Sequence, residues 1–282
     1  MQIQPLDASF GAIVTGVNLD RMDKPLLSTI HESWLEYGLL IFPEQFLTNE
    51  AQITFARNFG ELEIDLAAIS NLLRDGKVRD DQPDDEVLKV LKGNMGWHMD
   101  STYMPVQATG AVFTAHVVPV QGGETAWADM RAAYDALPAS QKEEVNGLKA
   151  YHSLYYSQKR AGFGPSANGS YIGYGFNNQE PPLRPLVKIH PETGRPNLVI
   201  GRHAYGIEGL SAEASERLLT DLLEFSCQAP RVYQHRWQAG DAVLWDNRCL
   251  MHRACSWDLR EARVMYHTRI AGDPSSEFAA AV

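Results

Sequence analysis

RVYQHRWQAGDAVLWDNRCLMHRACSWDLREARVMYHTRI, residues 231–270, decides how the chain is read. RVYQHRW and DAVLWDN are strand-length runs on either side of an Ala239-Gly240-Asp241 turn, and ARVMYHTRI alternates over the length of another strand. Upstream, PLVKIH and PNLVIG flank PETGR, which predicts a hairpin with Gly194 in its turn. Ala12-Ile13-Val14 alternates like a strand, and Leu39-Leu40-Ile41-Phe42, stopped by Pro43, reads as a short buried one. Helices punctuate these strands. Leu26, Ile30, Trp34 and Leu35 recur at helical spacing over 24–37, and Thr48 caps a helix through Phe59 that Gly60 ends. Asp129 caps MRAAYDALP, and Ser211 caps AEASERLLTDLLEFS, whose Leu218, Leu222 and Phe225 share a face. Many short strands with a few helices predict a mainly β protein with peripheral helices, a double-sheet jelly roll rather than a parallel α/β layer.

With 282 residues, no internal repeat and no Ser/Gly linker, the chain is read as a single domain, 1–282. A net charge of −10 argues against gripping nucleic acid or acidic membranes, but not against small anions, because a local Arg cluster overrules the global balance. No apolar run approaches the roughly 18 residues of a membrane span, and no secretory signal opens the chain. Cys227, Cys249 and Cys255 lack regular spacing, which suits a reduced, cytoplasmic protein better than a disulfide scaffold or zinc knot. Residues 162–182, rich in Gly, Asn, Ser and Tyr, are read equally well as a loop over the site or a plain surface loop.

His98 and Asp100 in GWHMDST, with His252 in LWDNRCLMHRA, make a candidate two-histidine, one-carboxylate set. Such a set holds iron(II) on one face and leaves the other open. The spacing alone is weak. Nine histidines, each with about a 12% chance of an acid two places on, give roughly one such pair by accident, and this chain has two. The second, His190-Pro191-Glu192, falls in the predicted hairpin turn and is read as structural. Residues two apart on a strand point the same way, so His98 and Asp100 reach one ion, with Trp97 and Tyr103 offered as apolar walls. A satisfied histidine with a partner carboxylate is the plain alternative.

GNMGWHMDSTYMP, GGETAWADMRAAYDALP, WDNRCLMHRA and the arginine of REARVM resemble the signature blocks of the taurine and 2,4-dichlorophenoxyacetate dioxygenases. These are iron(II)- and 2-oxoglutarate-dependent enzymes on a double-stranded β-helix core. The resemblance runs in order from about Leu6 to Asp273, with His98 to Thr125 separated by 27 residues and His252 to Arg263 by 11. AISN, VLKGNMGWH, PLRPLVKIHPETGRPNLVIGRHA and RVMYHTRIAGDP are most similar to the (S)-selective phenoxypropionate (dichlorprop and mecoprop) dioxygenases.

The resemblance implies an iron(II) site at His98, Asp100 and His252, which is also the catalytic centre, with dioxygen and 2-oxoglutarate as co-substrates. It implies that Arg263, a planar permanent cation, grips the far carboxylate of 2-oxoglutarate with the Thr125 hydroxyl. The implied reaction hydroxylates the carbon beside the ether oxygen of an aryloxyalkanoate, an (S)-2-aryloxypropionate, giving a phenol and pyruvate with succinate and CO₂. Where the wider family places a second arginine this chain has His267, so sulfonates are disfavoured. Arg202 is the first candidate for the substrate carboxylate and Lys92 the second, and Asn94, His203, Tyr205 and His267 are candidate pocket residues. His267 and Arg269 share a strand face with Arg263. Two other readings stay open: the same iron chemistry on another small organic acid, and a jelly-roll protein that binds metal and anion without turnover. The partner is a small carboxylate, not nucleic acid or membrane, and self-association into a homo-oligomer is common in the family.

Overall fold

The computed structural model describes residues 1–80, 82, 85–162 and 180–279. Its largest sheet has seven strands in the order β1 (Gln2–Pro5), β2 (Ala12–Thr15), β3 (Leu39–Phe42), β13 (Ala242–Asp246), β5 (Gly110–Val117), β15 (Val264–Ile270) and β4 (Leu62–Ser70). A three-stranded sheet follows the order β12 (Val232–His235), β6 (Thr125–Asp129), β14 (Leu250–Ala254). A third sheet joins β11 (Ala204–Ile207), β7 (Lys149–His152) and β8 (Leu183–Pro185), while β9 (Val187–Ile189) and β10 (Pro196–Leu198) form a hairpin. Helices α1 (Lys24–Tyr37), α2 (Asn49–Arg57), α3 (Glu86–Gly93), α4 (Met130–Ala136), α5 (Ala139–Val145), α6 (Leu154–Arg160) and α7 (Ala212–Ser226) lie between strands, and α8 (Pro274–Glu277) follows β15.

The period of two along each strand explains why β3 is apolar throughout. Leu40 and Phe42, with Val112 and Leu244 of neighbouring strands, face Ile30 and Trp34 of α1 and Phe55 of α2. Leu39 and Ile41, with Phe113, Val243 and Trp245, face Trp127 and Leu250 of the three-stranded sheet. A strand covered on both faces has no solvent side to make polar. The three-stranded sheet is covered likewise: Ala128 and Met251 pack with Met130 and Ala133 of α4 and Leu222 of α7. These facing sheets with helices outside are the jelly roll expected from the strand pattern.

The three predicted N-caps, Thr48, Asp129 and Ser211, are present, and Asp23 is a fourth, not named from the sequence. Asp23, Thr48, Asp129 and Ser211 each accept hydrogen bonds from the first turns of α1, α2, α4 and α7. Helix α2 stops two residues earlier than the Gly60 signal suggests, because the Asn58 amide takes the Thr54 and Phe55 carbonyls and closes the last turn. Gly194 has φ 69°, as the hairpin turn requires. The Ala239-Gly240-Asp241 turn differs from a hairpin: β12 pairs with β6, whereas β13 pairs with β3 and β5. It carries the chain from one sheet to the other. The expected 162–182 loop lies almost wholly outside the described residues.

Candidate metal centre and its cavity

His98 and His252 face each other across an isolated antiparallel bridge. The backbone N–H of His98 donates to the His252 carbonyl at 3.0 Å, and that of His252 returns the bond to His98 at 2.8 Å. Directly opposed residues project to the same side, and the two imidazole rings lie 4.2 Å apart. His98 is therefore extended, as expected, but it belongs to no regular strand. The His98 Nδ1 lies 2.7 Å from the Gly96 carbonyl, which makes it the donor and leaves Nε2 bare. The ring of His252 is held against Trp245 at 4.9 Å between centroids.

Asp100 is placed by a residue 147 positions away. Its N–H donates to Asn247 Oδ1 at 2.7 Å, and Asn247 Nδ2 donates to the Asp100 and Ala108 carbonyls at 2.9 Å each. The amide acts as a substitute strand edge. Ser101 then takes φ 57°, and the chain turns away. Asp100 Oδ1 accepts from Arg269 Nη2 at 2.9 Å, whereas the buried Oδ2 has no hydrogen-bond partner. That oxygen lies 3.9 Å from His252 Nε2 and 3.5 Å from His267 Nε2. Ligand atoms of His98, Asp100 and His252 all fall within 4.8 Å of one another.

The electrostatics keep these groups in metal-binding form. Burial pushes His98 well below the ordinary imidazole range, with His252 and Arg202 acting in the same direction. Burial also takes His252 and His267 down to about 4, so both rings are neutral at physiological pH. For Asp100 burial alone would raise the carboxyl, but Arg269, His252 and His267 outweigh it and hold it well below the usual carboxylate range. Two neutral imidazoles and one bare carboxylate oxygen are the donor set of a divalent transition metal such as iron(II).

These residues line a cavity of about 240 Å³. Thr125, Arg202, His203, Arg263, His267, Arg269 and Asn94, all named from the sequence, line it too. Strand β6 pairs Trp127 with His252, so Thr125 sits on the same face two residues away. Arg263 is locked at the root of β15. Its N–H meets Asn71 Oδ1 at 2.8 Å, its Nε meets the Gly123 carbonyl at 3.1 Å, and its guanidinium lies over Trp257 at 5.2 Å. Gly123 has φ 69°, and a Cβ there would stand 2.8 Å from Pro119 and 3.2 Å from Arg263, so only glycine fits. Arg263 Nη2 is buried with no hydrogen-bond partner.

Arg202 enters from a different wall. Its guanidinium lies over Gly93, where a Cβ would come within 3.2 Å, and its stem over Gly96. The only hydrogen bond its guanidinium makes among the described residues is a 3.5 Å contact with Ser157 Oγ of α6, while its backbone N–H donates to the Trp97 carbonyl at 2.8 Å. His203 beside it places Nδ1 2.9 Å from the same hydroxyl and packs on Tyr103 at 4.8 Å. Burial takes both Arg202 and Arg263 down to about 10, still cationic. Neither has a carboxylate within ion-pair distance among the described residues.

Three expectations are corrected. Lys92 is exposed on α3 and does not line the cavity, because Val90, Leu91 and Asn94 share the inward face and Lys92 is turned about 100° from Leu91. Tyr205 stacks on Tyr156 at 4.6 Å and also lies outside the lining. Trp97 is no wall, since it packs with the α4 and α7 core and carries Arg253 on its ring at 4.7 Å. Phe113, Trp245, Trp257 and Leu154 supply the apolar walls together with Tyr103. The second His-x-acid pair is structural, as read: His190 Nε2 meets Asp246 at 3.0 Å, and Glu192 pairs with Arg248 at 2.5 Å. Cys249 beside them turns its Sγ to the Asp246 carbonyl at 3.7 Å, while the Asp246 carboxylate is taken by His190 at 3.0 Å and Arg248 at 2.6 Å.

Comparison with known proteins gives the context of this site. The profile of the family described as taurine catabolism dioxygenase TauD, TfdA matches residues 2–270. An (S)-phenoxypropionate/alpha-ketoglutarate-dioxygenase of Sphingobium herbicidovorans is 59% identical, over 99% of this chain and 98% of its own length. A protein of the same description from Delftia acidovorans is 54% identical over 100% and 99%. The crystal structure of AAD-2 in complex with Mn(II) and N-oxalylglycine superposes with a TM-score of 0.90 at 35% identity, covering 99% of this chain and 100% of that one.

Proposed function

The chain belongs to the TauD, TfdA family of dioxygenases, as an enzyme dependent on iron(II), 2-oxoglutarate and dioxygen, and from that premise we propose that it opens the ether of (S)-2-aryloxypropionates. One observation carries the proposal: two buried guanidiniums reach one cavity from different walls, and neither meets a carboxylate among the described residues. Burying an unpaired cation costs several kcal/mol, about 3–5 where a partner has been removed. A site with two such cations is built for two organic anions. Arg263 and the Thr125 hydroxyl take the far carboxylate of 2-oxoglutarate, and Arg202 with His203 takes the carboxylate of the substrate.

His98, Asp100 and His252 hold the iron; the bare Asp100 oxygen and the unengaged His98 Nε2 fit that role. Iron(II) bound there couples oxidative decarboxylation of 2-oxoglutarate to hydroxylation of a substrate carbon. Arg202 orients the acid so that the carbon bearing the ether oxygen faces the metal ligands. Phe113, Trp245, Trp257, Tyr103 and Leu154 enclose the aryl ring and exclude water. His267, neutral and stacked on Trp245 at 5.5 Å, adds no third cation, so the cavity suits a monocarboxylic acid. Hydroxylation at that carbon gives a hemiketal, which releases a phenol and pyruvate. We read the chain as one catalytic domain, because strands from both of its ends share the seven-stranded sheet. Three free thiols fit a reducing cytoplasm, and no described helix is long and apolar enough to cross a membrane.

The test is an oxygen-uptake screen of both enantiomers of several 2-aryloxypropionates beside aliphatic acids, with phenol and succinate measured. The proposal expects equal amounts of phenol and succinate, with the (S) forms preferred. Turnover of aliphatic acids without phenol release from any aryloxypropionate would reject it.

A further inference from the structure

We propose that Arg269 is a positioning residue that decides which oxygen of Asp100 faces the metal, and that Glu63 and Ser101 hold it to that task. The inference rests on the reading of His98, Asp100 and His252 as iron ligands. Arg269 Nη2 donates to Asp100 Oδ1 at 2.9 Å, and its Nη1 lies 3.1 Å from Ser101 Oγ and 3.4 Å from Glu63 Oε1. The Ser101 hydroxyl in turn stands 2.7 and 2.9 Å from the two Glu63 oxygens. One planar fork thus bridges two carboxylates, Glu63 of β4 and Asp100, and keeps them apart. A point charge on a flexible stem does not reproduce that geometry.

Two irregularities of the backbone aim this assembly. The pairing of β15 with β4 slips in register on both sides of Arg269, a bulge of the kind that re-aims a side chain. Ser101, fully buried, takes a left-handed φ of 57° directly after Asp100, a conformation that residues bearing a Cβ adopt uncommonly and at a cost. Strain of this kind persists where its surroundings over-determine it, and here it sets the Ser101 hydroxyl between Glu63 and Arg269. The outcome is an Asp100 with one oxygen spoken for and the other without a donor. With Arg269 gone, Asp100 is free to rotate, to offer both oxygens to the metal, or to turn toward His267, whose Nε2 is already 3.5 Å away.

The metal-free protein tests this without turnover. Mn(II) affinity and the visible spectrum of the Co(II)-loaded form are measured for wild type, R269Q, R269K, E63Q and D100A. R269Q is expected to bind Mn(II) about 10–100-fold more weakly, with a shifted Co(II) spectrum that reports a changed carboxylate. R269K is expected to recover part of the affinity and E63Q to fall between it and wild type. Wild-type affinity and spectrum in R269Q would overturn the proposal. If R269Q does not yield a folded protein, R269K decides: affinity at least about threefold weaker with a shifted spectrum supports it, and wild-type values overturn it. D100A separates the two levels, since undiminished Mn(II) binding there would reject the ligand reading itself.

Discussion

Arg202 and Arg263 bring like charges into one cavity, and their separation into two anion sites is tested one side chain at a time. Arg263→Ala is expected to raise the KM for 2-oxoglutarate by about 30- to 1,000-fold, the loss of about 2–4 kcal/mol for truncating a buried charge pair, with the organic acid little affected. Arg202→Ala should reverse that pattern, and steady-state kinetics varying each substrate in turn reads both. At this scale the sequence was informative where chemistry is rare. A His-x-Asp pair with a distant His is weak by spacing alone among nine histidines, and it became legible, with the arginine 11 residues beyond His252, through the family's motif blocks. Trp245, Trp257, Phe113 and Asn247 were not distinguished, because in sequence a cavity wall and a core residue are the same residue type. Trp97 shows the converse: adjacent to His98, it alternates to the opposite face and is spent on packing.

Among the elements, the segment from Asp246 to Arg248 ties together parts of the chain far apart in sequence. Asn247 clamps Asp100, while Arg248 meets Asp246 through Nε at 2.9 Å and reaches Glu192 in the hairpin turn. Asn247→Ala leaves the Asp100 N–H and two carbonyls buried without their partner, at about 1–3 kcal/mol for each such group. Thermal denaturation of this variant is expected to show a drop of about 5–15 °C, and Mn(II) titration a weakened metal site. Element types were legible because period and caps are local signals. Partners were not. Nothing in RVYQHRWQAGDAVLWDN says that its two strands belong to different sheets, since pairing depends on Thr125–Asp129 and Leu39–Phe42 far away in the chain. The end of α2 was misplaced because Asn58 supplies a side-chain cap before the glycine is reached.

Across the whole molecule, neutral histidines are concentrated in the interior. Burial takes His152 down to about 3, with Arg184 adding to it, and His252 and His267 down to about 4. Each folded value lies below the roughly 6.5 of an unfolded chain, so below that pH the unfolded state binds more protons. Stability is therefore full above pH 6.5 and is lost as the pH falls through 6.5 toward 4, at about 1.4 kcal/mol per pH unit per histidine. The melting temperature of the metal-free protein should fall steeply over that window. His152→Leu should flatten the slope, because neither ring nitrogen of His152 has a hydrogen bond to lose. A melting temperature constant from pH 7 to 4 would contradict this account.

The reciprocal backbone bonds between His98 and His252 join segments that lie on opposite sides of residues 163–179. A chain severed within that interval leaves His98 and Asp100 on one fragment and His252 on the other, so neither piece alone has three donors. Co-expressed fragments would regain dioxygen consumption only by docking, which makes this enzyme its own complementation reporter.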